Sequence, residues 1–225
     1  VLGMAERWTT GRGVRVGVLS LAGLAIASVL GGLAPEPDPI PRRWELELEA
    51  GPLRAISLVT DDRGTTDKSD DLYGDFLYMT YRVTNYTGRD LFFAPTFTLT
   101  NDAGEILRSG QDVSANSTVR LLQALDQPFL QSEFEVLGVL HQGPENARDV
   151  LVVWPLHDRT IDEAVVYASG FSGEAKQYRV MDPSTGEFRL ETLRKTYMLR
   201  FRIPGEIDPS LPFPFDVVER KWVMR

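Results

Sequence analysis

Six aspartates crowd the stretch "TDDRGTTDKSDDLYGD" at positions 60–75: Asp61, Asp62, Asp67, Asp70, Asp71 and Asp75. Hard cations such as calcium want several oxygens, and such a loop offers them. The spacing argues otherwise. A calcium loop read from Asp67 puts Leu72 where the turn glycine belongs and Tyr78 where the bidentate glutamate belongs. The stretch is therefore read as a solvated, metal-free loop between strands. Histidine occurs only at His141 and His157, and two imidazoles cannot build a three-histidine zinc site. Each lies at a predicted strand end, in "HQGPEN" and "PLHDRT", which fits a surface or interface role. The chain has no cysteine, which excludes disulfides, thiolate metal sites and cysteine nucleophiles. For acyl transfer there is no G-x-S-x-G, since "SGFSGE" lacks its spacing, and neither phosphate-binding glycine motif is present. Paired carboxylates of the glycosidase kind can come from anywhere in a chain, so sequence does not decide them. Asn85-Tyr86-Thr87 and Asn116-Ser117-Thr118 match the glycosylation sequon, which matters only in a eukaryotic secretory pathway. The expectation is no catalytic, cofactor-binding or metal-binding residue, no cofactor, and no enzyme.

The elements that hold these residues read mainly as strands. In "FLYMTYRVTNYTG", Leu77, Met79, Tyr81 and Val83 alternate with polar neighbours, and Asn85 to Gly88 reads as a turn. "LFFAPTFTLTNDAG" repeats the form, with Pro95 marking an edge or a bulge and "TNDAGE" a hairpin connection. Further strands are predicted at 44–49, 53–60, 133–140, 149–154, 163–170, 187–193, 195–203 and 215–224. Within 195–203, Tyr197, Leu199, Phe201 and Ile203 face inward. One helix is predicted over 114–125, capped by Ser114 or Asn116, with Leu121, Leu122 and Leu125 as its apolar face and Pro128 beyond its end. Many short strands with one helical insert predict a mainly β domain, an antiparallel immunoglobulin-like β-sandwich over 44–225. Trp154 and Trp222 fall in strands and read as core or interface anchors.

The N-terminal part differs in kind. Val16 to Ala34 is an uncharged run, about 28 Å long as a helix and close to the thickness of a bilayer core. A cleaved signal peptide is the rival reading, with Ala25-Ile26-Ala27 as its cleavage site. The favoured reading is a retained single-pass transmembrane helix at 16–34, preceded by a cytoplasmic segment at 1–15. Arg7, Arg12 and Arg15 precede the run and Arg42 and Arg43 follow it, a slight bias toward a cytoplasmic N-terminus. Ser20, Gly23, Ala27 and Gly31 place small side chains on one face, where another helix can approach closely. Trp8 and Trp44 flank the run at positions suited to the membrane interface. The proline-rich stretch 35–43 reads as a short, stiff stalk that extends about 20 Å from Pro35 to Pro41.

Net charge narrows the partners. The formal charge is -8, and the first 34 residues carry a small positive excess, so the domain itself is strongly acidic. An acidic surface repels phosphate backbones, so nucleic acid is not an expected partner.

On "YMTYRVTNYTGRDLFFAP", "NARDVLVVWP", "RKTYMLRF" and the closing "ERKWVMR", the chain resembles an uncharacterised group of single-pass bacterial envelope proteins with an immunoglobulin-like β-sandwich domain. The resemblance implies the inner membrane, with the bulk of the chain periplasmic, and carries no activity with it. Together these readings predict a non-catalytic accessory subunit of a larger membrane complex, contacting other integral membrane subunits and the lipid bilayer. By analogy, that complex is an energy-transducing one, photosynthetic or respiratory. The competing expectation is an independent envelope module that binds a peptide, glycan or ion through its loops.

Overall fold

The computed structural model describes residues 43–61, 72–211 and 213–225. The predicted span at 16–34, with Ser20, Gly23, Ala27 and Gly31, lies outside them, as do Trp8, most of the stalk and residues 62–71 of the aspartate loop. Among the described residues no helix is long and apolar enough to cross a membrane.

The fold is mainly β. Its strands are β1 (Glu47–Asp61), β2 (Leu72–Thr84), β3 (Leu91–Phe93), β4 (Thr96–Asn101), β5 (Ile106–Arg108), β6 (Leu130–Ser132), β7 (Gly138–Leu140), β8 (Arg148–Pro155), β9 (Glu163–Ser169), β10 (Ala175–Met181), β11 (Phe188–Arg202) and β12 (Pro214–Met224), with the helix α1 (Ala115–Leu125) between β5 and β6. Ten strands join in one sheet in the order β5-β4-β9-β11-β12-β1-β2-β8-β6, with β10 paired to β11 off that path, while β3 and β7 form a separate two-stranded sheet. The alternation in the sequence explains the core. Leu77, Met79, Tyr81 and Val83 of β2 point to one side and join Phe97 and Leu99 of β4, Val166 of β9, Leu199 and Phe201 of β11 and Trp154 of β8 in a single buried cluster. Tyr81 and Phe97 bring their ring centroids within 4.8 Å across this core.

The helix explains why β8 reads as an unbroken apolar run rather than an alternating one. Phe76 and Tyr78 of β2 and Leu151 and Val153 of β8 face away from the main core and pack under Leu121 of α1 in a second cluster. A strand covered on both faces has no polar side to show. Ser114 Oγ accepts a hydrogen bond from the Ser117 amide at 3.0 Å, so Ser114, not Asn116, is the N-cap. Asp126 closes the helix in the left-handed region, its amide donating to Leu122 O.

Several expectations need correction. Pairing is antiparallel except between β6 and β8, which run parallel. The two strands predicted at 44–49 and 53–60 are one strand, β1, with an irregularity between Ala50 and Leu53 where Gly51 and Pro52 intervene. The predicted strands 187–193 and 195–203 likewise merge into β11. Pro95 diverts the chain from the small β3–β7 sheet into the large one. The strand predicted at 133–140 survives only as β7. Ahead of it, Ser132 and Glu135 close a turn reciprocally: the Glu135 carboxylate accepts from the Ser132 amide at 2.7 Å and from its hydroxyl at 2.9 Å. This is the serine-x-x-glutamate arrangement of a capping box, and it holds the backbone away from extended geometry.

The β3–β7 sheet is tied down by Asn85, which is fully buried. Its Nδ2 donates to Leu140 O and to Arg89 O, each at 2.9 Å, and its Oδ1 accepts from the Thr87 amide at 3.0 Å and hydroxyl at 2.8 Å. The sequon at 85–87 is thus a structural staple whose amide is fully engaged. Asn85→Ala should cost about 1–3 kcal/mol, because the buried Leu140 carbonyl loses its donor, and a urea unfolding midpoint measures it.

Candidate functional site

Where the chain leaves β5 and returns through the Ser132–Glu135 turn, a cleft of about 570 Å³ opens. Its walls include Pro95, Ser109, Gly110, Glu133, Phe134 and Leu137. Two local features shape it. Gly110 adopts φ 71°, a backbone conformation that favours glycine, and a Cβ there would push the Glu133 carboxylate aside. The turn then presents Phe134 and Leu137 outward, 65% and 49% exposed. Next along the same chain segments, Phe92 and Val139 lie opposite each other in the β3–β7 register, also exposed. The cleft itself therefore sets two exposed apolar side chains, Phe134 and Leu137, beside one carboxyl, with Arg108 and Gln111 also in its walls.

Ser109 Oγ donates to Glu133 Oε2 at 2.5 Å. A serine beside a carboxyl group raises the question of nucleophilic catalysis. Acyl transfer also needs amide donors at the developing oxyanion, commonly the N–H that follows the nucleophile. Here the Gly110 amide already donates to Val153 O at 3.0 Å, and the Ser109 amide to Phe97 O at 2.9 Å. Both donors nearest the serine are consumed by backbone carbonyls. What the arrangement can do is hold an apolar group against Phe134 and Leu137 and a hydrogen-bond donor against Glu133.

Burial pushes the Glu133 carboxyl above its ordinary value, outweighing the Ser109 hydrogen bond and the charge of Arg108, which pull it down. Burial also raises the Tyr81 phenol, and the Glu133 charge adds to that rise. The sign for stability follows. A carboxyl whose folded value is raised favours the fold fully below its unfolded value, and that contribution is lost as pH rises through the folded value. Glu133→Gln keeps the acceptor for Ser109 without a charge to bury. The variant should be more stable than the parent at pH 8, with the gap closing below the unfolded glutamate value, in paired urea titrations at pH 8 and pH 4.

A second polar group sits at the end of the domain where the described chain begins. Lys195 and Glu174 are both buried, and Lys195 Nζ lies 2.7 Å from Glu45 and 3.6 Å from Glu174. The same ammonium stands 4.9 Å from the Trp222 ring centroid, and that ring meets Tyr197 edge-on. Trp44 packs half-buried against the main core, with its indole against Gly173. Trp154 is wholly buried.

The histidines predicted at strand ends lie apart, each beside its own carboxylate. His141 Nδ1 is 2.8 Å from Asp90 and His157 Nδ1 is 3.0 Å from Glu105, all at the surface. The contact with His141 and the Gln142 amide hold Asp90 below its usual range. Asp75, the one aspartate of the acidic stretch whose side chain is described, forms an ion pair with Arg159. Among the described residues no three histidines or acidic groups gather as metal ligands. Sequence reasoning missed Ser109 and Glu133. They stand 24 positions apart, and the only local signal is "SEFE", the turn that carries Glu133. Comparison with protein-family models, with curated proteins and with solved structures returns no match for this chain.

Proposed function

We propose that this chain is a non-catalytic accessory subunit of a larger membrane assembly, anchored by residues 16–34 and docking through its cleft onto an apolar segment of a partner subunit. The carrying observation is the pair of exposed apolar side chains, Phe134 and Leu137, in a cleft whose serine has its neighbouring amides already engaged. Clustered exposed apolar groups mark interaction surfaces, and these two sit at a concave floor, with exposed Phe92 and Val139 on the neighbouring β3–β7 sheet. The exposed acids and histidines described above are paired with one another or with arginine, which supports structural rather than chemical work for them.

On this reading the chain belongs with the single-pass envelope proteins of bacteria that its motifs resemble. Its N-terminus is cytoplasmic, its domain periplasmic, and the assembly is of the photosynthetic or respiratory kind. The large sheet folds over on itself as an immunoglobulin-like sandwich, a reading supported by ring contacts that join β2 to β4 across one core. A second reading, an independent module that binds a small ligand, is favoured by the cleft's volume and its one carboxyl.

Gentle detergent extraction of the full chain from its native membrane distinguishes them. Stoichiometric co-purification with other integral membrane proteins supports the subunit. A free monomer contradicts it.

A further inference from the structure

Strands β10 and β11 leave the body as a two-stranded arm. From Lys176 paired with Leu193 to Met181 paired with Phe188 the two strands pair only with each other; at the base Arg194 also exchanges backbone hydrogen bonds with Arg225, and β11 joins β12 from Lys195 and β9 from Tyr197 onward. Seven residue pairs make the arm about 20 Å long. Residues directly opposite share a face. Arg179 and Leu190 therefore lie on the same side as Met181 and Phe188, with the Arg179 guanidinium 5.4 Å from the Phe188 ring centroid. Met181, Phe188 and Leu190 are 55%, 64% and 66% exposed. A free hairpin with an apolar face and open edges is unstable alone and prone to pair with whatever it meets, so something should cover it.

Chain length says what. The described chain enters beside the base of this arm: the Arg43 guanidinium donates to Gly173 O at 3.3 Å, the Gly173 amide donates to Trp44 O at 3.0 Å, and Glu45 bridges Ser172. Only residues 35–42 separate Arg43 from the uncharged run ending at Ala34, a reach of at most about 30 Å. The arm is of comparable length and springs from the end of the body where the chain enters. Its charge differs from the rest. On the Met181–Phe188–Leu190 face the paired strands carry Arg179 and Arg194 and no acid, while Lys176, Arg189 and Glu191 fall on the other face, in a chain of formal charge -8.

We propose that this arm is a second membrane contact: its Met181–Phe188–Leu190 face lies on the bilayer that residues 16–34 cross, with Arg179 and Arg194 of the same face on anionic headgroups. The proposal rests on the anchor reading above. Apolar side chains bordered by arginine suit the headgroup boundary, because guanidinium groups can stay at the phosphates while their stems lie on apolar surface. Two contacts, one through the span and one through the arm, would fix the tilt of the domain as well as its height.

The absence of cysteine allows a direct test on the full chain. Met181→Cys, Phe188→Cys and Ile106→Cys would each carry an environment-sensitive fluorophore. Ile106, 70% exposed, belongs to the β4–β5 hairpin, at the end of β9 opposite the arm. The proteins are reconstituted in phosphatidylcholine–phosphatidylglycerol vesicles, with and without lipid bearing a nitroxide near the headgroup, and flotation is recorded on the same samples. The expected result is flotation of all three, with strong nitroxide quenching at positions 181 and 188 and little at 106. Flotation with equal quenching at all three sites overturns the arm contact and leaves the anchor standing. Blue-shifted but unquenched emission at 181 and 188 means that protein, such as a second copy, covers the face, and also overturns it. Failure to float removes the anchor and the proposal with it.

Discussion

Replacing Lys195 by alanine is expected to destabilise the domain by about 3–5 kcal/mol, the usual cost of stranding a buried charge. Glu174 is as buried as Lys195, and Glu45 is 2.7 Å from the ammonium, so the variant leaves a carboxylate in a poorly hydrated site. Lys176, 3.7 Å from Glu174, offers partial compensation. The loss should fall when both partners go. Lys195→Met with Glu174→Gln fills the volume and removes the buried carboxylate, leaving only Glu45, which is partly exposed to water, and should recover most of the stability, since well-packed neutral replacements of buried ion pairs are often neutral. Urea unfolding of the two variants and the parent reads the difference. Equal losses in the single and double variants would mean that packing, not charge pairing, holds this end. Whole domains are stable by only about 5–15 kcal/mol, so the single variant should be visibly compromised. Its consequence is also local, because Glu45 ties the entering chain to β11 across 150 positions.

Phe171→Ala should cost a similar amount, about 3–5 kcal/mol, as for other buried phenylalanines. Phe171 lies in the connection between β9 and β10 yet is wholly buried. Its ring meets Phe93 at 5.3 Å, Phe97 at 5.7 Å and Tyr81 at 5.7 Å, each edge to face. Three strands from two sheets thus converge on one loop residue. The alanine variant opens a cavity beneath the segment that carries Pro95 to the cleft wall. Phe171→Leu keeps most of the volume and should cost under about 2 kcal/mol, losing mainly the ring contacts. An alanine variant within experimental error of the parent would mean that the aromatic cluster contributes little to stability.

How much of this was legible in the sequence depends on how local each cause is. The inward face of β11 at Leu199 and Phe201, continued by Ile203 just past its end, follows from alternation alone, and all three are buried. The helix was equally legible, because its cap, apolar face and stop lie within a few residues of one another. Strand β10 was not. "AKQYRVM" shows no consistent apolar side because neither side is buried in the body, and period-two reasoning detects burial rather than extension. Glu135 misled in another way. Its serine-x-x-glutamate spacing was present at Ser132, but the flanking apolar residues Phe134, Val136 and Leu137 mimicked strand alternation. The cleft and the Lys195 cluster are products of tertiary folding. Nothing in the types or spacing of Ser109 and Glu133, or of Glu45 and Lys195, announces that they meet. The apolar side of the cleft was hidden for the same reason: Phe134 and Leu137 look like core residues until the chain around them leaves them outside.

Docking through the cleft at Phe134 and Leu137 is tested most directly by a photo-crosslinking residue at position 134 of the full chain in its native membrane. Phe134 is 65% exposed at the cleft, while Phe213, 71% exposed before β12 and on different elements, serves as the control. Docking through the cleft predicts one discrete adduct with another integral membrane protein from position 134, and none from position 213. Equal, diffuse labelling from both positions, or no adduct from position 134, would contradict the assignment of this chain as a docked subunit.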